Sequence, residues 1–375
     1  MRLAIISSFR RNCGIGLYTL QFVLQLIKYN RVEHIIKRIY LLVHTDSDID
    51  LFSPKLKIFR VIREKHPSYV SKMSSLLEKL KPDVIDVEWD HSLYSPFLLL
   101  GTYLFPILSK FKNKIFISFH SLYRSEDVER YLDITTGNKL LGKLGSKYYS
   151  LTKRFLLKNL SIGRLFTLYE YEQVKRIKQN FVLIPQGIED VISVRSRRKD
   201  KNILTVFGFI RKTKDYKLAI ESLSLLPRSF RLIIAGQPKD KELLRRIRLW
   251  VKEYGVKERV LIIPRLFSSK EKEFIMRKTD IILLPYLLIS NSGVLLDGIK
   301  YCKPVVSTVL PQDITQLKIG VYTAHESKSF AEAIATVNNR YSEFQENIKL
   351  VQPRFLWKNI IPHVMEAYRK VSERV

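Results

Sequence analysis

Cysteine is nearly absent from this chain, with two residues in 375. Cys13 and Cys302 sit in separate Gly- or Pro-containing turns, so they make neither a metal-ligand spacing nor a disulfide framework. No apolar run reaches the roughly 18 residues a membrane-spanning helix needs. The stretch from Phe97 to Leu108 is too short, and Gly101 and Pro106 interrupt it. Met1 passes straight into a strand pattern, so no signal peptide is expected, and the cysteine usage fits a cytoplasmic, reducing location. Internal repeats and low-complexity segments are missing as well. Acidic residues are scarce: 36 Asp and Glu face 65 Lys and Arg, for a net charge of +29. Such a field favours membrane surfaces, nucleic acid or phosphorylated substrates. The sequence carries no zinc-finger, RNP or KH signature, and its cations are scattered, which argues against a nucleic-acid-binding protein.

What is present is a regular alternation of strand and helix patterns. The length suits two domains with two cores. Strands are expected at Leu3 to Ser8, Arg38 to Val43, Lys57 to Val61, Val84 to Val87, Lys114 to Phe119 and Leu165 to Leu168. After the turn Pro185-Gln186-Gly187-Ile188 and the basic stretch Arg195 to Lys201, a second series begins. Its strands are expected at Ile203 to Phe207, Arg231 to Ala235, Arg259 to Ile263, Ile281 to Leu284 and Val305 to Thr308. Two successive β/α runs predict an α/β protein with two doubly wound domains. The expected boundaries are 1–185 and 186–354, with a linker near 185–202 and a C-terminal amphipathic helix in 355–375.

Three turns carry chemistry. Cys13-Gly14-Ile15-Gly16 follows the first strand and opens a helix with Leu17, Leu20, Val23, Leu24 and Ile27 on its expected apolar face. Thr19 stands where the third glycine of a dinucleotide fingerprint would be, so nicotinamide binding is not indicated. The second turn, Gly208 to Asp215, sets Arg211, Lys212 and Lys214 straight after a strand, where doubly wound sheets bind ligands. Arg211 and Lys214 suit a diphosphate leaving group, one as a bidentate fork and the other as a point charge. The third, Ser290-Asn291-Ser292-Gly293, leads into a helix whose N-terminus presents N–H groups to an anion.

Together with Ile184-Pro185-Gln186-Gly187-Ile188 and Lys303-Pro304-Val305-Val306, these turns resemble the nucleotide-sugar glycosyltransferases of the GT-B fold, similar to the retaining family 4. The resemblance implies two Rossmann-like domains facing across a cleft, with the last helix crossing back to the first. It implies transfer of a hexose from a UDP- or GDP-sugar to a glycan or lipid-linked hydroxyl, with no cofactor and no metal. Lys214 and Arg211 would bind the donor diphosphate. Gly14, Gly16, Gly208 and the Ser292-Gly293-Val294 backbone would complete its cradle, Asp297 would hold the ribose, and Arg265-Leu266 would meet the base. Ile289 stands where the family has its first glutamate, eight positions before Asp297, a departure at the sugar-contacting position.

By the same resemblance His120, at the end of a strand, would contact the donor sugar beside Arg211 and Lys214. Glu88, Asp90 and His91 form an acceptor-side candidate group, with carboxylates able to bind hydroxyls. Tyr169-Glu170 reads more simply as a helix N-terminal acid. Lys139 to Lys158 reads as a basic amphipathic helix with Leu140, Leu141, Leu144, Tyr148, Leu151 and Phe155 on one face. That face suits either an anionic membrane surface or the domain core. A basic nucleic-acid-binding protein and a GT-B-like nucleotide-sugar epimerase are the alternative readings.

Overall fold

The computed structural model describes residues 1–10, 13–96, 100–177, 180–189 and 202–374. The basic stretch Arg195 to Lys201 lies outside the described residues. The chain divides into two compact units. One comprises Met1–Asp133, Asn138–Gly187 and Trp357–Val375; the other comprises Ile134–Gly137 and Ile188–Leu356.

The first unit is built on seven strands: β1 (Arg2–Ile6), β2 (Arg38–His44), β3 (Leu56–Ile62), β4 (Val84–Trp89), β5 (Ile115–Phe119), β6 (Ile162–Leu165) and β7 (Phe181–Leu183). All pairs are parallel, in the order β3-β2-β1-β4-β5-β6-β7. Side chains alternate across each strand. Leu3 and Ile5 therefore join one core with Phe22, Leu26 and Val364, while Ala4 and Ile6 join the other with Met73, Leu77 and Trp89. The helices are α1 (Gly14–Glu33), α2 (Tyr69–Leu80), α3 (Phe105–Lys110), α4 (Ser125–Thr136, of which residues 125–133 belong to this unit), α5 (Lys139–Lys158) and α6 (Leu168–Val174).

The second unit has six parallel strands in the order β10-β9-β8-β11-β12-β13. They are β8 (Ile203–Phe207), β9 (Arg231–Ala235), β10 (Val260–Ile263), β11 (Ile281–Leu284), β12 (Val305–Ser307) and β13 (Gly320–Tyr322). Its helices are α7 (Tyr216–Leu225), α8 (Lys241–Glu253), α9 (Ser269–Lys278), α10 (Gly293–Lys300), α11 (Pro311–Leu317), α12 (Ser327–Asn339) and α13 (Tyr341–Val351). The last helix, α14 (Trp357–Ser372), belongs to the first unit, where Trp357, Ile361, Val364 and Tyr368 join its core.

The structure corrects four local expectations. The strand expected at Leu165 to Leu168 is Ile162–Leu165, because Thr167 accepts a hydrogen bond from the Glu170 N–H and starts α6 there. Asp86 and Glu88 do not follow β4 but lie within it, fully buried. On α1, Leu17 and Leu24 are exposed, and the buried face is Tyr18, Phe22, Val23 and Leu26. On α5, Leu140, Leu141, Leu144 and Leu151 point outward, whereas Leu156 and Leu157 near its end are buried, a finding developed below.

Candidate active site

In the second unit the chain brings two distant turns together by backbone pairing. The loop after β8 and the loop after β11 zip at Lys214 and Tyr286. Asp215 N–H donates to the Pro285 carbonyl at 2.6 Å, and Leu287 N–H to the Thr213 carbonyl at 2.8 Å. Gly208 makes this approach work. Its φ of 93° is a left-handed value that favours glycine. A Cβ there would lie 3.4 Å from Lys214 Nζ and 3.5 Å from Val294 Cγ2. Gly208, Lys214 and Val294 thus surround one small space at the carboxyl ends of β8 and β11.

Lys214 is the unusual group in that space. Its side chain is buried, donates to the Phe207 carbonyl at 2.6 Å and stands 5.5 Å over the Tyr286 ring. Burial, with the charge of Arg211 adding to it, lowers the ammonium to about 7. Arg211 is exposed and stacks on Phe209 at 4.7 Å. A buried lysine held by a single neutral carbonyl and poised near neutrality gains most from an incoming anion.

The α10 turn supplies backbone rather than hydroxyls. Ser292 is the N-cap, and its side chain accepts from Leu295 N–H at 3.2 Å. Ser290 is completely buried. Gly293 is exposed, and a Cβ placed on it would meet nothing within 4 Å. One turn further, Asp297 is buried and pairs with Lys272 Nζ at 2.6 Å. Burial raises its carboxyl and Lys272 opposes that shift. Arg265 is exposed, pairs with Glu271 at 2.7 Å and lies 4.5 Å from the Phe267 ring centroid, with Leu266 half exposed beside it.

The first unit arranges its candidates differently. His120 Nε2 meets Glu88 Oε2 at 2.6 Å, and Nδ1 meets Gln186 Nε2 at 3.2 Å. Both ring nitrogens of His120 are therefore engaged by protein groups. Burial pushes Glu88 up to about 8 and His120 down to about 3, which leaves both neutral at pH 7. Beside them Arg164 is fully buried and donates to Tyr18 OH at 2.8 Å and to the carbonyls of Ile184 and Pro185 at 3.0 and 2.7 Å. Asp86 bonds Tyr368 of α14 and Ser118. A Cβ on Gly187 would fall 2.1 Å from the Trp357 ring, so that glycine makes room for the start of α14. The Ile184 to Gly187 motif is thus a junction fastened by Arg164, His120 and Trp357.

His91 is buried against Tyr149 and Tyr123, and burial lowers it to about 4. Asp90 turns back on itself, accepting from Ser92 N–H and Oγ at 2.9 and 2.6 Å. Gly14 is exposed, whereas the space that Gly16 leaves is filled by the Arg10 main chain, 2.3 Å from a Cβ there. Among the described residues no group of three His, Cys, Asp or Glu is arranged to hold a metal ion. Sequence reasoning missed Arg164, Tyr18, Lys272 and Tyr286. Only Arg164 carries a visible signal: an arginine inside the apolar run Ile162-Gly163-Arg164-Leu165-Phe166.

Residues 188–349 match the family model described as glycosyl transferases group 1. No curated protein sequence matches the chain significantly. Among solved structures, the chain is similar to a sucrose-phosphate synthase from Thermosynechococcus elongatus, with TM-score 0.76, 16% identity and all of both chains covered. It is also similar to the lipopolysaccharide outer core galactosyltransferase WaaB, with TM-score 0.68, 15% identity and coverage of 98% and 100%. Anabaena HepE in complex with UDP-glucose matches with TM-score 0.66, 12% identity and coverage of 98% and 99%. The chain therefore has the GT-B fold, and its second unit carries the glycosyl transferases group 1 match.

Proposed function

We propose that this protein is a glycosyltransferase that moves a hexose from a nucleotide diphospho-sugar to a hydroxyl of a glycan or lipid-linked acceptor, with retention. The observation that carries the reading is the zipped pair of loops that sets buried Lys214 beside Gly208 and Val294. Lys214 and Arg211 receive the donor diphosphate, and the Gly293-Val294 backbone at the start of α10 completes its cradle. As the bond from C1 to the diphosphate oxygen breaks, charge builds on that oxygen, and the two cations offset it. The acceptor oxygen bonds to C1 on the same face, and its proton passes to the departing diphosphate.

Asp297 takes the ribose hydroxyls in exchange for its contact with Lys272, and the Arg265-Leu266 loop lies along the base. Ile289 brings no carboxylate to the sugar, so other groups must recognise the hexose. In the first unit His120 and Glu88 act as one neutral pair that shapes the sugar-facing surface, with Asp90 and His91 on the acceptor side. HepE was solved with UDP-glucose, which supports a UDP-sugar as the first donor to try.

The test is a thermal-shift panel of UDP-, GDP- and ADP-sugars against wild type and Lys214→Met. Ligand that binds only the folded state raises its melting temperature. A shift for one nucleotide that disappears in Lys214→Met is expected. No shift with any donor contradicts the reading, and donor turnover without acceptor would mark an epimerase instead.

A further inference from the structure

Over most of its length helix α5 is built inside out. Its sequence, KLLGKLGSKYYSLTKRFLLK, has leucines at helical spacing, yet it buries Gly142, Ser146, Tyr149 and Thr152, with Leu156 and Leu157 reaching the core only at its last turn. The neighbouring helix α4 explains this choice. A Cβ on Gly142 would fall 1.8 Å from Asp133 Oδ1, and one on Gly145 would fall 2.4 Å from Leu132 Cδ1. Ser146 Oγ donates to Glu129 at 3.3 Å, and Tyr149 OH accepts from Tyr123 N–H at 2.7 Å. Only small or hydrogen-bonding side chains fit against α4, so Leu140, Leu141, Leu144 and Leu151 are displaced to the outside. Leu140, Leu141, Leu144, Tyr148 and Leu151 are between 37% and 65% exposed.

At about 100° per residue the helix surface divides into three stripes. One side packs on the unit. The exposed apolar residues occupy the opposite arc, and over Leu140 to Leu151 they form a stripe about 17 Å long. Between the two runs an exposed basic stripe of Lys139, Lys143, Lys147, Arg154 and Lys158. The helix contains no Asp or Glu. Lys153, the remaining cation, turns inward to the Tyr123 carbonyl at 2.8 Å.

We infer that α5 is a docking surface for an anionic lipid bilayer, on which the helix lies in the plane of the interface. The apolar stripe enters the boundary between headgroups and acyl chains, and the adjacent cations meet lipid phosphates. Charge complementarity selects this occupant: an apolar stripe alone would suit a second copy of the chain, but two +29 surfaces repel. No helix among the described residues is long and apolar enough to cross a membrane, so attachment through α5 is peripheral. The inference rests on α5 alone and is independent of the glycosyl-transfer reading.

The experiment is co-sedimentation of the full chain with vesicles of phosphatidylcholine, with and without about 30% phosphatidylglycerol, at low and high salt. Wild type should pellet with the anionic vesicles and far less with neutral ones. Leu144→Ser with Leu151→Ser should weaken that binding about tenfold or more. Lys143→Ala and Lys147→Ala should each weaken it about fivefold, at low salt only. Circular dichroism confirms folding, and all four side chains are exposed. Wild type that stays in the supernatant with anionic vesicles would overturn the inference. So would unchanged binding by the double leucine variant, or a dimer in sedimentation velocity that this variant dissociates.

Discussion

The two units treat their buried ionisable groups in opposite ways. In the first, Arg164 is hydrogen-bonded to main-chain carbonyls and the Tyr18 hydroxyl, Asp86 to the hydroxyls of Tyr368 and Ser118, and Glu88 to His120 as a neutral pair. In the second, Lys214 is held by one carbonyl while Arg211 lies exposed over a ring. Charge that is fully hydrogen-bonded fixes structure; charge left with one neutral partner is available to a ligand. Residue type does not distinguish the two cases, but the partners do.

Arg164→Met should break the committed cluster and have the largest effect on stability. Leaving the Tyr18 hydroxyl and the Ile184 and Pro185 carbonyls without their donor costs about 1–3 kcal/mol for each group left unsatisfied, read as an earlier unfolding transition in urea. Donor binding by the chain that remains folded should change little. Lys214→Met should do the reverse. We expect a loss of about 10²–10³-fold in kcat/KM, the scale of removing one preorganised electrostatic group. Its stability should hold or rise, because a buried charge is removed.

The third prediction concerns pH. Glu88 lies near 8 in the folded chain against an ordinary 4.5, so between those values the folded state holds the extra proton. The stability that Glu88 contributes should therefore fall as pH rises through that window, and Asp86, also raised by burial, adds to the same slope. His120 and His91, lowered by burial from 6.5, oppose it in the acid half of the window. Glu88→Gln should remove the Glu88 part, so that stability changes less unfavourably from pH 5 to pH 8 than in wild type, measured as urea midpoints. The smallest effect belongs to α5. Leu144→Ser should change stability by less than about 0.5 kcal/mol. In α8 the fully buried Ile247 should cost about 2–5 kcal/mol when cut to Ala.

That last contrast shows where the sequence is legible. Both helices are basic and amphipathic, and α8 buries Leu243, Ile247 and Val251 as its pattern implies. For α5 the pattern names an apolar face but cannot say that α4 accepts only glycine, serine and hydroxyl-bearing residues. The strands β8, β9 and β11 match their apolar runs residue for residue, since buried parallel strands are uninterrupted apolar stretches. At β6 the same rule misplaces the strand, because buried Arg164 breaks the run and Thr167 caps the next helix. Both sequence motifs of the second unit were visible singly. Their joining at Lys214 and Tyr286 depends on neighbouring strands β8 and β11, an order no local pattern encodes.

The most direct measurement is the proton uptake that accompanies donor binding. Lys214, lowered to about 7 by burial and by Arg211, is mostly neutral at pH 8 and must regain its proton when it meets a diphosphate. Calorimetry of UDP binding at pH 8, repeated in buffers of different ionisation enthalpy, should show uptake approaching one proton. Lys214→Met should abolish that uptake. Binding with no buffer dependence, or uptake that persists in Lys214→Met, would contradict the assignment of Lys214 to the diphosphate.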